Sequence, residues 1–147
     1  MRLLTSSLLI AILLPAQTSA EKEVIAVVQK AFDGIGARDA EMIRSTMLAD
    51  ARIVSFRDTG APSSTAAADM AAQIGASKVA MVERFTSPPH VLIHGRIAQV
   101  WGEYEFLRDG KFSHCGISFL EMALLDKDLL VQAHELLIIR EPDNFRT

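Results

Sequence analysis

The chain has 147 residues, half of them hydrophobic, with 15 Lys and Arg against 18 Asp and Glu for a formal charge of −3. That balance, with no basic run anywhere, argues against binding to nucleic acid or to an anionic membrane surface. Cys115 is the single cysteine, so no internal disulfide can form and the fold must hold by packing alone.

The first twenty residues have the layout of a secretory signal peptide. Met1-Arg2 gives a short positive start, Leu3 to Leu14 is mostly apolar, and Pro15 to Ala20 ends in small residues. The apolar run is too short for a bilayer, since a spanning helix needs roughly 20 such residues. Cleavage is expected after Ala20, leaving residues 21–147 as one domain in the periplasm or outside the cell, with no membrane attachment afterwards. Loss of Arg2 moves the formal charge from −3 to −4.

Glu21 to Ile35 carries Val24, Val27, Val28, Ala31, Phe32 and Ile35 at helical spacing, and predicts an amphipathic helix ending near Gly34 or Gly36. Asp39 is a suitable N-cap for a second helix over Ala40 to Leu48. Ala51 to Arg57 reads as a strand, and Asp58 to Ser64 as a loop. Thr65 to Ile74 has the Ala-rich composition of a third helix, stopped by Gly75. Lys78 to Phe85 carries no clear period, and Ser87-Pro88-Pro89 interrupts the chain after it.

His90 to Met122 then predicts two long strands joined by a tight Asp109-Gly110 turn. An Asp-Gly pair between aromatic and β-branched runs is a strong hairpin signal, because that turn needs positive φ. A last strand over Leu129 to Arg140 follows a turn at Asp126-Lys127-Asp128. The order of helices followed by antiparallel strands predicts an α+β fold: a curved antiparallel sheet covered by three N-terminal helices.

This order of elements resembles the nuclear transport factor 2-like superfamily. So do the phrases Ala51 to Asp58, Glu83-Arg84-Phe85, Gly95 to Trp101, Tyr104-Glu105-Phe106, Asp109-Gly110-Lys111 and His114-Cys115-Gly116. The likeness is to the SnoaL-like cone, and within it to the bacterial lumazine-binding-like branch. It covers roughly Glu21 to Arg140. It implies a cone-shaped half-barrel with a pocket, and a homodimer through the outer sheet face. One departure stands at the final strand, where a Gly-Trp pair is common and this chain has Leu129-Leu130.

If Asp109 and Gly110 are the two central turn residues, strict alternation sets Phe106 opposite Ser113 and Tyr104 opposite Cys115. Gly102 then faces Ile117 and Val100 faces Phe119. That face is the more apolar and is expected to line the pocket. A two-residue turn at Asp126-Lys127 puts His134 opposite Phe119, beside Tyr104. The expected ligand pocket is therefore Phe56, Val100, Tyr104, Phe106, Ile117, Phe119 and His134. Its expected occupant is a small hydrophobic or aromatic molecule, with Tyr104 and His134 giving the polar contacts.

His134 and Tyr104 are also the candidates for acid–base chemistry, in the alternative of an isomerase, dehydratase or cyclase acting on a hydrophobic substrate. Isomerases of this shape pair a buried carboxylate with a Tyr donor. Only Glu121 falls near the expected cavity face, at the end of the sheet. The four histidines lack the close spacing of a metal motif, so no metal or cofactor is expected. His114 is expected on the outer face against Glu105, Cys115 as a small buried hydrophobe, and Glu83-Arg84 as an ion pair tying helices to sheet.

Overall fold

The computed structural model describes residues 17–57, 60–125, 128–131 and 134–140, the side chains of the last two segments excepted. Three helices, α1 (Ser19–Ala37), α2 (Ala40–Arg44) and α3 (Ala67–Ala76), pack on one sheet. The strands are β1 (Arg52–Arg57), β2 (Ser63–Ala66), β3 (Met81–Phe85), β4 (His90–His94), β5 (Ile97–Arg108), β6 (Lys111–Leu125), β7 (Asp128–Val131) and β8 (His134–Arg140). Their order is β2-β1-β8-β6-β5-β3, with β4 also on β5 and β7 also on β6. All pairs are antiparallel except β1 with β8.

Local chemistry sets the helix ends. The Thr18 hydroxyl accepts from Glu21 N while the Glu21 carboxylate accepts from Thr18 N, a capping box. Asp39 caps α2 as expected, its Oδ1 accepting from Glu41 N and Met42 N. α1 runs past Gly34 and Gly36 to a left-handed Arg38, because Gly34 is used for close contact with Ile43 of α2 rather than to stop the helix. Val24, Val28, Phe32 and Ile35 of α1 meet Ala98, Val100, Leu120 and Met122 of the sheet in one apolar core. Each of these side chains larger than Ala98 contributes on the order of 1.5–3 kcal/mol through burial.

The Asp109-Gly110 hairpin forms as expected, with φ of 49° and 73°. Asp109 also exchanges two hydrogen bonds with Ala80, through its backbone N and its carboxylate, fixing the turn to the start of β3. Several boundaries differ from the expectation. The first long strand is broken by a turn at Gly95-Arg96, so His90–His94 folds back on Ile97–Trp101 as a hairpin of its own. β2 takes the last two residues of the expected loop and the first two of the expected third helix, which runs instead from Ala67 through Gly75 to Ala76; Ser63 to Ala66 pairs with β1, whose backbone edge would otherwise stay open. The last strand divides into β7 and β8.

The largest difference lies within the long hairpin. Arg108 pairs with Lys111 and Leu107 with Phe112, but Phe106 then pairs with His114, leaving Ser113 as the extra residue of a β-bulge. Every β6 residue beyond it is displaced by one position from regular alternation. Tyr104 therefore faces Gly116, Gly102 faces Ser118, and Val100 faces Leu120.

At Gly102 the inner face has no room for a side chain: a Cβ there would stand 2.7 Å from the Phe85 ring and 3.0 Å from Pro89 Cβ. Phe85 is in turn held edge-on by Phe32 of α1, ring centroids 5.2 Å apart. Gly102→Ala is expected to destabilise the fold by about 1–3 kcal/mol through this overpacking. Urea denaturation measures it; an unchanged midpoint would mean that the Phe85 ring yields freely.

Candidate functional site

The face of the sheet turned toward the helices carries the alternate residues Ala98, Val100, Gly102, Tyr104 and Phe106 of β5. From β6 it carries His114, Gly116, Ser118, Leu120 and Met122, and from β3 Met81, Glu83 and Phe85. Most of these are core. Three carry chemistry toward one end: Glu83, Tyr104 and His114.

Their placement follows from the ladders. Glu83 and His114 flank Phe106 on either side, in one row across β3, β5 and β6, and Tyr104 stands in the next row between Phe85 and Gly116. The His114 imidazole stacks on the Phe106 ring, with centroids 4.9 Å apart and planes at 14°, and meets the Tyr104 ring edge-on at 5.9 Å. Its Nδ1 shares a 3.2 Å hydrogen bond with the hydroxyl of the bulged Ser113. Tyr104 is 1 % exposed and Glu83 9 %, whereas His114 and Phe106 are half-buried. A carboxyl, a phenol and an imidazole thus share one apolar surface that stays partly open at His114.

The bulge reassigns several expected positions. Tyr104, Val100 and Phe106 lie on the inner face. Ile117 and Phe119 do not: they lie on the outer face, Phe119 meeting Trp101 edge-on at 6.0 Å, because one extra residue at Ser113 reverses the parity of β6. Phe56 is also outside the pocket. It alternates with the buried Ile53 on β1 and is exposed. Cys115 pairs with Glu105 rather than Tyr104, and Glu121 pairs with Gln99 on the outer face. His114 is not against Glu105, which instead accepts from Arg84 Nε at 2.6 Å. Glu83 and Arg84 point to opposite faces, so no pair between them ties helix to sheet. The His134 backbone pairs with Arg52, and Leu136, not His134, stands opposite Phe119. The His134 side chain lies outside the described residues.

Glu83 and His114 were not among the expected site residues. Glu83 carries a readable signal, since Met81, Glu83 and Phe85 alternate with Val82 and Arg84. His114 carries none, because a serine bulge has no sequence signature comparable to Asp-Gly.

No protein-family model matches the chain, and no curated protein matches it. Solved structures do. A nuclear transport factor 2-like protein from Cytophaga hutchinsonii superposes with a TM-score of 0.67 at 12% identity, over 85% of this chain and 99% of that one. A protein of unknown function with a cystatin-like fold from Nostoc punctiforme gives 0.66 at 9% identity, over 84% and 93%. A nuclear transport factor 2-like superfamily protein from Salmonella enterica gives 0.63 at 11% identity, over 84% and 92%. The chain has the nuclear transport factor 2-like, cystatin-like cone fold. Such a fold hosts many unrelated activities, so the function has to be argued from the site.

The stacking of His114 on Phe106 has a spectroscopic consequence. The imidazole carbon-bound protons are expected to be displaced by the Phe106 and Tyr104 ring currents, and Phe106→Leu to move them toward their free values in a proton–carbon correlation spectrum. Resonances indifferent to Phe106→Leu would place His114 on the other face and remove the bulge.

Proposed function

We propose that the chain is an exported protein that binds a small hydrophobic or aromatic molecule against the inner face of the cone. Glu83, Tyr104 and His114 supply the polar contacts, and Phe106 and Val100 belong to the apolar surface. The observation that carries this reading is the convergence of three polar side chains of different chemistry on an otherwise apolar surface, the usual make-up of a small-molecule site. Export rests on the leader-like residues 1–20, and the periplasm or extracellular space is the proposed location. The kinship proposed within the fold is to the lumazine-binding-like branch.

Native mass spectrometry and thermal shift against planar aromatic and isoprenoid compounds test the binding. Loss of one buried hydrogen bond to a ligand costs about 1–3 kcal/mol. Glu83→Gln, Tyr104→Phe and His114→Ala are therefore each expected to weaken any hit by about 5- to 150-fold. A hit that binds the triple variant unchanged would discard the site.

One observation favours a second reading, acid–base catalysis on a hydrophobic substrate. The inner face holds a buried carboxyl, Glu83, within one ladder row of a phenol and beside the ring that carries an imidazole. A carboxylate in an apolar pocket can take a proton from a carbon next to a carbonyl, while Tyr104 or His114 donates a hydrogen bond to the carbonyl oxygen. Glu83→Gln would then lower turnover by about 10²- to 10⁴-fold, the ordinary contribution of a positioned general base. Deuterium exchange into apolar ketones in heavy water is the direct assay.

We further propose a homodimer through the outer sheet face. Trp101 is 45 % exposed beside Phe119, with Ile117 on the same face of β6, and Phe56 is exposed on β1. Exposed large apolar residues gathered on one sheet face mark an association surface. Trp101→Glu is expected to give a monomer in sedimentation velocity while leaving the melting temperature of the isolated fold nearly unchanged.

A further inference from the structure

Five of the large hydrophobic residues that stand exposed gather at one end of the sheet. Leu92 and Ile97 are 68 % and 60 % exposed, and Ile93, Leu124 and Leu125 join them. Single exposed apolar residues are ordinary, but a cluster is not. The cluster is held as one unit. Ile93 and Ile97 flank the β4–β5 turn, and Arg96 binds that turn to the end of β6. Its backbone O accepts from Leu124 N at 2.8 Å, and its Nε donates to Leu124 O at 2.8 Å.

The course of α1 says what meets this rim. Its C-terminal part lies by β3, where Gly36 approaches Met81 O, and Met81 pairs with Arg108 at the Asp109-Gly110 end. It also approaches β4 and β7, at the opposite end, so the N-terminus of α1 lies toward the rim. The chain enters α1 at Thr18, four residues after the end of the apolar run Leu3 to Leu14. The segment suited to carry the protein to a bilayer therefore leaves the fold at the end where five aliphatic side chains face outward.

We infer that this end of the cone rests on a lipid bilayer, the five aliphatic side chains inserted at the headgroup boundary and Arg96 beside them at headgroup level. The inference rests on the reading of residues 1–20 as a leader, and it does not require that the leader be kept. Charge is not the driving force. The acidic overall balance disfavours electrostatic adsorption, whereas aliphatic insertion needs only apolar area and operates on a zwitterionic surface. An arginine at the rim can extend its stem along apolar surface and keep its charge in water.

The test uses the full chain with Trp101→Phe, combined with either Ile97→Trp at the rim or Phe112→Trp at the far end, on phosphatidylcholine vesicles with brominated acyl chains. A side chain buried about 5–10 Å into the headgroup and acyl boundary is expected to lose emission about twofold at position 97, with position 112 unaffected. A Leu92→Asp, Ile97→Asp chain is expected to lose vesicle flotation once the leader is removed. Equal behaviour of positions 97 and 112 overturns the inference, as does a rim protected only by a concentration-dependent dimer without quenching. Intact mass and cell fractionation of the same protein judge the leader separately. A full-length chain found only in the cytosol ends the export reading, whereas an exported chain with an unquenched rim ends this inference alone.

Discussion

The register between β5 and β6 is the constraint on which the rest of the structure depends. Alternation along a strand is strict, so one inserted residue exchanges the two faces for everything beyond it. Ser113 is that residue. It leaves Arg108, Leu107, Lys111 and Phe112 in the regular pairing that the Asp109-Gly110 turn requires. Beyond it, Ser118, Leu120 and Met122 go to the helices, and Ile117 and Phe119 to the opposite side. The bulge also brings His114 over Phe106. Core, site and outer surface are thus consequences of one residue near the end of a fifteen-residue strand.

The place of α1 has a separate cause. A helix can settle on a sheet only where the sheet leaves room, and Gly102 supplies that room by letting Phe85 lean across β5. Phe32 then meets Phe85 edge-on, an arrangement that aromatic quadrupoles favour over face-to-face contact. With the helix fixed there, its C-terminal part closes over Met81 and β3, and Glu83 is buried as a result. The carboxyl is buried by helix packing and the imidazole is positioned by a strand defect. These are independent causes that meet at Phe106, which pairs with both residues.

Elements whose chemistry is local were legible in the sequence. The amphipathic α1, the Asp39 cap and the Asp109-Gly110 turn each rest on residues within a few positions of one another, and each formed. The α+β order followed from those elements and their succession, and the cone from the resemblance to the nuclear transport factor 2-like superfamily. Features that depend on a partner strand were not legible. β2 exists because β1 offers an open edge. The β4–β5 turn falls where a Gly inside an apolar run might have been only a bend. The inner face was assigned correctly along β5, where parity counts from the turn, and wrongly along β6, where the bulge intervenes. Glu83 was missed because Lys78 to Phe85 as a whole carries no clear period, and the alternation that turns Glu83 inward is confined to Met81–Phe85.

The three apolar surfaces of the molecule differ in kind, and the difference bears on function. Among the described residues the inner face is buried at Ala98, Val100, Leu120 and Met122 and half-buried at His114 and Phe106, where polar groups break the apolar lining as a site for a discriminated ligand requires. The outer face is broad, centred on Trp101 and Phe119, and bordered by the Arg84–Glu105 pair. An aromatic sheet face with a charged margin suits a rigid partner of complementary shape, such as a second copy. The rim at Leu92 and Ile97 is neither flat nor aromatic. Among the described residues it carries aliphatic side chains on both sides of a hairpin tip, with His94 and Arg96 between them, and a hairpin tip offers a folded partner little area to match. A fluid phase can surround it without shape matching, so the geometry that makes the rim a poor protein interface suits it to lipid.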